Sequence, residues 1–302
     1  MEVPRNDTTR IELQDPLVLV LARWILASVG IVANSIVIFV FVYNKSYKKS
    51  LSLKFLLHQT VVDLIGSLIF FITRSIGISG GSSFCKLKYI FMYLSVTSTY
   101  NFVMVTIERY IAVVHPLLYR KKPLGGKITY LSLFSTHVCG LLLTGFMLIK
   151  ANIEPDTKVC KLGETNTAAI LLVIPMWLMP LCILIYCYVR MVLKLHKTRR
   201  INHNPQTVST QPTVSRGIQR VKSDLLATLF IIAFVNIFTM TPGCVFFIYF
   251  IMSHGVIHIF REVSMLLLDL NLTINPFIYC MAYEDFQRGL RKIRQDILKK
   301  RK

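Results

Sequence analysis

The residues able to do chemistry in this sequence are charged and amide side chains set inside long apolar runs. Glu108-Arg109-Tyr110 follows Tyr89 to Ile107, nineteen residues without a formal charge. As a helix those nineteen residues rise about 28 Å, close to the hydrocarbon thickness of a bilayer. The Glu-Arg pair then sits where the helix meets water, and a charge there is expensive unless it is paired or can snorkel. A headgroup anchor ends an apolar run, but here Ile111-Ala112-Val113-Val114 continue it. The pair therefore reads as a latch. Asn34, Asp63 and Asn275 lie inside other apolar runs, where a polar residue is either glue between helices or a functional group. Bond-making chemistry has no support. Ser-His-Asp and Gly-x-Ser-Gly patterns are absent from the apolar runs, and no Cys-x-x-Cys or zinc spacing occurs. The expectation is a protein that is not an enzyme.

The elements that must position these groups follow from composition. The 302 residues are 54% hydrophobic and 17% charged, with a mean hydropathy of +0.56, too apolar for a soluble domain of this size. No charged residue occurs between Glu164 and Arg190, or between Asp224 and Arg261. Such runs predict membrane spans, and the pattern gives seven: 17–43, 51–73, 86–113, 128–149, 167–193, 222–252 and 262–282. In lipid every backbone donor and acceptor must be satisfied within the segment, so the spans are helices. The expected fold is an all-α membrane protein, a seven-transmembrane helix bundle with a short amphipathic eighth helix.

The formal net charge is +20, yet the basic residues are dispersed in short loops, which argues against a nucleic-acid surface. Segments 44–50, 114–127 and 194–222 and the tail are Lys/Arg-rich, which places them in the cytoplasm and the N-terminus outside. The expected organisation is an extracellular segment 1–16, a seven-span domain 17–282, and a cytoplasmic amphipathic helix and tail 283–302. Residues 1–15 have no apolar core of a signal peptide, so the first span serves as its own uncleaved signal. Asn6-Asp7-Thr8 is a glycosylation sequon on the outer side. Cys85 and Cys160 fall on the same oxidising side, where a disulfide is allowed. After Met281, Phe286, Leu290, Ile293 and Ile297 recur at helical spacing between Arg and Lys residues, as in a helix lying on anionic membrane lipids.

This set closely resembles the rhodopsin-like (class A) G-protein-coupled receptors, from Gly30 to Phe286. The resemblance rests on Glu108-Arg109-Tyr110, on Asn275-Pro276-Phe277-Ile278-Tyr279, on Asn34 and Asp63, and on Pro180 and Pro242. The chain departs from the family in lacking the usual Trp of span 4, and in reading Thr239-Met240-Thr241-Pro242 where Cys-Trp-x-Pro is usual. The resemblance implies a Cys85–Cys160 bridge and a receptor at the plasma membrane that turns ligand binding outside into activation of a heterotrimeric G protein inside. Arg109 would be the switch charge, held by Glu108, with Tyr188, Tyr279 and Pro276 in the moving parts. Asp63, Ser98, Asn271 and Asn275 would form a pocket for an allosteric sodium ion; a carboxylate with neutral oxygens suits a hard cation. Otherwise no cofactor is implied, and arrestin is a further partner.

For the ligand, Phe91 replaces the aspartate of amine receptors, and Asp269 replaces the lysine of opsins. Lys88, Phe91, Met92, Trp177, Met240 and Asp269 are the pocket candidates. A basic, aromatic mouth suits an acidic peptide or lipid, and the pattern looks most like invertebrate-type peptide receptors. A transporter using the Asp63/Asn275 pocket is the alternative, weakened by the lack of internal repeats. Arg23 and Asp269 are the charges well inside spans 1 and 7, and the expectation is that they pair.

Overall fold

The structure, a computed structural model, describes residues 16–48, 50–75, 81–121, 126–153, 160–162, 167–202, 212–253, 257–282 and 284–300. In chain order the helices are α1 (Leu17–Tyr43), α2 (Leu51–Phe70), α3 (Gly81–Val114), the short α4 (Pro116–Lys121), α5 (Gly126–Lys150), α6 (Met179–Asn202), α7 (Pro212–Ser253), α8 (His258–Ala282) and α9 (Glu284–Lys300). Six of the described helices are long and apolar enough to cross a membrane. The seventh span is α8, whose apolar run is interrupted by Arg261, Glu262 and Asp269, and which packs against α1, α2 and α7. The expected bundle is therefore present, with α9 as the eighth helix. Span 3 begins five residues earlier than its pattern predicts and span 6 ten residues earlier.

In lipid the usual sidedness is relaxed, because both faces of a helix can be apolar. On α1 the inward stripe is Arg23, Ala27, Gly30, Asn34 and Val37, while Leu21, Ile25, Val32 and Ile36 face outward. Steps of three and four residues keep each set on one face. The inward stripe thus collects the small and polar residues. Helix α3 is the most enclosed, with Leu94 to Val103 buried without interruption.

Prolines create openings that other spans fill. Pro276 has no N–H to give the carbonyl of Leu272, four residues before it. That carbonyl accepts instead from Asn34 Nδ2 on α1, at 3.2 Å. The entry to span 5 is a π-turn, Ile174–Leu178, and its Pro175 carbonyl accepts from the Tyr100 hydroxyl at 2.7 Å. Outside the bundle, β1 (Ala151–Ile153) pairs antiparallel with β2 (Cys160–Leu162). Cys160 is disulfide-bonded to Cys85 near the start of α3, as expected, with Cα atoms 5.3 Å apart. Asn6 and the side chains of Tyr279, Lys222 and Asp224 lie outside the described residues.

Candidate functional site

At the end of the bundle where α1 begins, the Glu262 carboxylate is 3% exposed and meets three guanidinium groups. Arg74 Nη1 donates at 2.8 and 3.1 Å, Arg261 Nε at 2.9 Å, and Arg23 Nη1 at 3.3 Å. Among the described residues, Arg74 and Arg261 thus share this one carboxylate, with Arg23 beside them. Lys88 of α3 stands close enough to Arg74 and Arg261 to be repelled by them. The expected Arg23–Asp269 pair does not form: Arg23 goes to Glu262, and neither Asp269 oxygen has a hydrogen-bond partner. Depth explains the correction. Arg23 lies eleven residues outward of Asn34 and Glu262 thirteen outward of Asn275, about 17 and 20 Å of helix, against about 9 Å for Asp269. Glu262 is the residue that sequence reasoning missed, and counting depth from the motif asparagines would have found it.

Below this charged rim lies an apolar floor. Phe91 and Met240 are buried with Phe70, Leu268 and Leu272, and Met92 and Trp177 pack against them. Met92 and Met240 also line a cavity with Ser95 and Cys244, and Met240 and Trp177 line a second with Thr99 and Asn236. Trp177 Nε1 is buried without a hydrogen-bond partner. The structure so brings five of the six pocket candidates to one end of the bundle. The sixth, Asp269, lies two helical turns inward of Glu262 on the same helix.

At mid-depth, Asp63 Oδ1 accepts from Ser98 Oγ at 2.8 Å and Gln59 Nε2 at 3.1 Å. Its Oδ2 accepts from Asn275 Nδ2 at 2.8 Å and again from Gln59 at 3.3 Å. Gln59 also bonds Ser98 Oγ. Ser98 and Asn275 are where the sequence placed them. Asn271 is buried but its Nδ2 has no partner. Gln59 was not anticipated, although its spacing of four residues from Asp63 puts both on one face of α2. The sodium pocket implied by the resemblance fits poorly: two amide nitrogens point N–H groups at the carboxylate, where a cation needs oxygens.

At the opposite end of the bundle, Glu108 is buried and Arg109 Nε stands 3.4 Å from its Oε2, without a hydrogen bond to it. The carboxylate's own hydrogen bonds go elsewhere. Ser52 donates to Oε2, and Tyr119 of α4 donates to Oε1 at 2.6 Å. Burial, with the Glu108 carboxylate beside it, pushes the Tyr119 phenol up to about 12. Tyr110 stacks edge-on against His115 and near Tyr186, and Tyr188 packs on Phe230. Ser52 and Tyr119 carried no sequence signal, because their distance from Glu108 along the chain has no fixed spacing.

Comparison with known proteins agrees with this geometry. Residues 33–279 match the 7 transmembrane receptor (rhodopsin family). The chain is 26% identical to free fatty acid receptor 3 of Rattus norvegicus over 294 residues, covering 88% of this chain and 83% of the relative. It is 25% identical to G-protein coupled receptor 183 of Rattus norvegicus, over 88% and 78% of the two chains. To galanin receptor type 2 of Rattus norvegicus it is 24% identical, over 72% and 59%. With seven spans, a Glu108-Arg109 latch and an Asp63–Asn275 core, this chain belongs to the rhodopsin family of seven-transmembrane G-protein-coupled receptors.

Proposed function

We propose that this receptor sits in the plasma membrane with its N-terminus outside and responds to a ligand that carries a carboxylate beside an apolar group, most simply an acidic peptide. The observation behind this reading is the surplus positive charge, among the described residues, of Arg74 and Arg261 over the one Glu262 carboxylate they share, set over the Phe91/Met240 floor. An acidic group docked on Arg74, Arg261 and Lys88 would offset that surplus, and its apolar neighbour would settle on Phe91 and Met92. Trp177 Nε1 offers a donor to a ligand carbonyl. Movement of the Met240/Pro242 region of α7 would then release Arg109 to a G protein, with arrestin binding the activated form. Anionic lipids would hold α9 at the inner leaflet.

A second reading is a small carboxylic acid as ligand, favoured by the likeness to free fatty acid receptor 3. Both readings are tested by screening short acidic peptides and carboxylic acids with a G-protein readout, on the wild type, Arg74→Met and Arg109→Ala. The expected result is an agonist whose potency falls at least tenfold in Arg74→Met and whose response is lost in Arg109→Ala. An agonist without an acidic group, or one indifferent to Arg74, would sink the proposal.

A further inference from the structure

Two cavities lie between α3, the entry to span 5 and α7, and two methionines are common to both. Met92, Val96, Gly243 and Phe247 line the first, together with Met176 and Met240. Thr99, Trp177 and Asn236 line the second, again with Met176 and Met240. On α3 the lining residues run Met92, Val96, Thr99, and on α7 they run Phe247, Gly243, Met240, Asn236. Steps of three and four residues keep each set on one helix face. The cavities are therefore successive compartments along facing stripes of α3 and α7. Met176 and Met240 form the wall between them, and the second compartment is the deeper, further along α3 from Lys88.

The two compartments differ in chemistry. The first is mostly apolar, and its Ser95 hydroxyl donates to the Phe91 carbonyl at 3.0 Å. The second gathers three polar side chains. Trp177 Nε1 is buried without a hydrogen-bond partner, and an indole can only donate. Thr99 Oγ1 donates to the Ser95 carbonyl at 3.0 Å, which leaves its oxygen able to accept. Asn236, 8% exposed, carries both donor and acceptor atoms. Trp177 belongs to the π-turn Ile174–Leu178, a form of helix found frequently at functional sites. Methionine is unbranched and flexible, so the wall can open without moving a helix.

We propose that the second compartment is a polar subsite of the ligand pocket, taking an uncharged hydroxyl or carboxamide at the far end of the ligand's apolar chain. The inference rests on the acidic-ligand reading above and narrows it to an acid that carries a second polar group. A hydroxyl suits the site because it can accept from Trp177 Nε1 while donating to Thr99 Oγ1. Lys88 and Thr99 are eleven residues apart on α3, about 17 Å of helix. At about 1.2 Å per bond, as in extended backbone, a chain of about twelve carbons covers most of that distance.

The test uses the purified full-length receptor in lipid nanodiscs. Its melting temperature is followed as dodecanoate, 12-hydroxydodecanoate or 1,12-dodecanediol is added, since a bound molecule stabilises the folded state by mass action. Both acids should raise the melting point of the wild type and lose their effect in Arg74→Met. The half-saturating concentration of 12-hydroxydodecanoate should be about tenfold below that of dodecanoate. Trp177→Phe and Asn236→Leu should each bring the two acids within about twofold of each other, with dodecanoate itself little changed. Either variant suffices if the other does not fold. Equal half-saturating concentrations for the two acids in the wild type, with binding lost in Arg74→Met, would overturn the polar subsite and leave the acidic reading standing. A diol that binds as tightly as the hydroxy acid and weakens in Asn236→Leu would support the subsite and overturn the acidic reading. A preference for the hydroxyl that survives in both variants, or failure of both acids to bind, would overturn the proposal.

Discussion

The Nε2 atoms of His58 and His137 lie 2.9 Å apart, and this contact joins spans 2 and 4 through a hydrogen bond of fixed direction. The direction is set at Asp63, both of whose oxygens lie within hydrogen-bonding distance of the Gln59 side-chain amide. Gln59 Nε2 therefore points at it, which leaves Gln59 Oε1 to accept from Asn101 Nδ2 at 2.6 Å. Asn101 Oδ1 then faces His58 Nδ1 at 3.0 Å, so the proton of neutral His58 is on Nδ1. His58 Nε2 must accept, His137 Nε2 must donate, and His137 Nδ1 is left to accept from the Tyr93 hydroxyl at 2.7 Å. The tautomers follow from the network. Every bond in the chain from Tyr93 to Asp63 points one way. The span that lacks the family's tryptophan thus joins the bundle through a histidine.

From this chain it follows that His58→Leu and His137→Leu each strand buried partners. Each should cost about 1–3 kcal/mol, the penalty of an unmet buried hydrogen bond. The double variant should cost less than the sum, since both single changes break the same bond. Thermal melting of the purified receptor checks this. Strict additivity of the two losses would mean that the pair contributes nothing.

The charge cluster at the mouth gives an unequal ranking. Glu262→Gln leaves three guanidinium groups around a neutral amide, whereas Arg23→Met removes one cation of three. Stranding buried charges costs about 3–5 kcal/mol. Surface expression should therefore fall much further in Glu262→Gln than in Arg23→Met, and adding Arg74→Met to Glu262→Gln should restore part of it. Equal losses in the two single variants would contradict the shared-carboxylate geometry.

Seven spans, their order and the motif residues were legible because lipid accepts long apolar runs and penalises each polar exception. Asp63, Asn275 and Arg109 stand out on that ground alone, whereas the Cys85–Cys160 bridge is what the resemblance to the family implies. What the sequence concealed is the rotation of each helix about its axis. In water an amphipathic stripe shows which face is buried, but on α1 Val32 and Val37 are the same residue type and face opposite ways. The partner of a buried charge then depends on depth and rotation together. That is why the Arg23–Asp269 pairing expected from the sequence does not form. Gln59 was within reach of sequence reasoning, since it precedes Asp63 by one helical turn.

The latch at Glu108 predicts a sign for basal activity. Ser52 and Tyr119 occupy the carboxylate oxygens and leave Arg109 with an ion pair at 3.4 Å and no hydrogen bond. Removing the Tyr119 hydroxyl frees Oε1 to turn toward the guanidinium. Tyr119→Phe should therefore tighten the latch and lower ligand-independent nucleotide exchange on the G protein. One hydrogen bond of about 0.5–1.5 kcal/mol corresponds to a reduction of about two- to tenfold. Glu108→Gln should raise the same signal. A rise in Tyr119→Phe would show that the hydroxyl holds Glu108 in place for Arg109 instead of competing with it.

Gly289 sets how closely α9 docks on the C-terminal end of α1. Phe286 is buried against Phe41, with ring centres 6.0 Å apart, and Tyr43 donates to Asp296 Oδ2 at 3.0 Å. Between these two contacts, Gly289 faces Asn44, whose amide donates to the Val40 carbonyl at 2.9 Å. A Cβ at position 289 would lie 2.8 Å from Asn44 Nδ2 and 3.0 Å from Val40 Cγ1. Any larger side chain must push α9 outward or break the Asn44 bond, and overpacking of this kind costs about 1–3 kcal/mol. Gly289→Leu should therefore loosen the helix and speed tryptic cleavage after Arg288, Arg291 and Lys292 by roughly tenfold, the effect of about 1.4 kcal/mol on the opening equilibrium. Cleavage at the wild-type rate would mean that α9 is held by the membrane alone and not by its contact with α1.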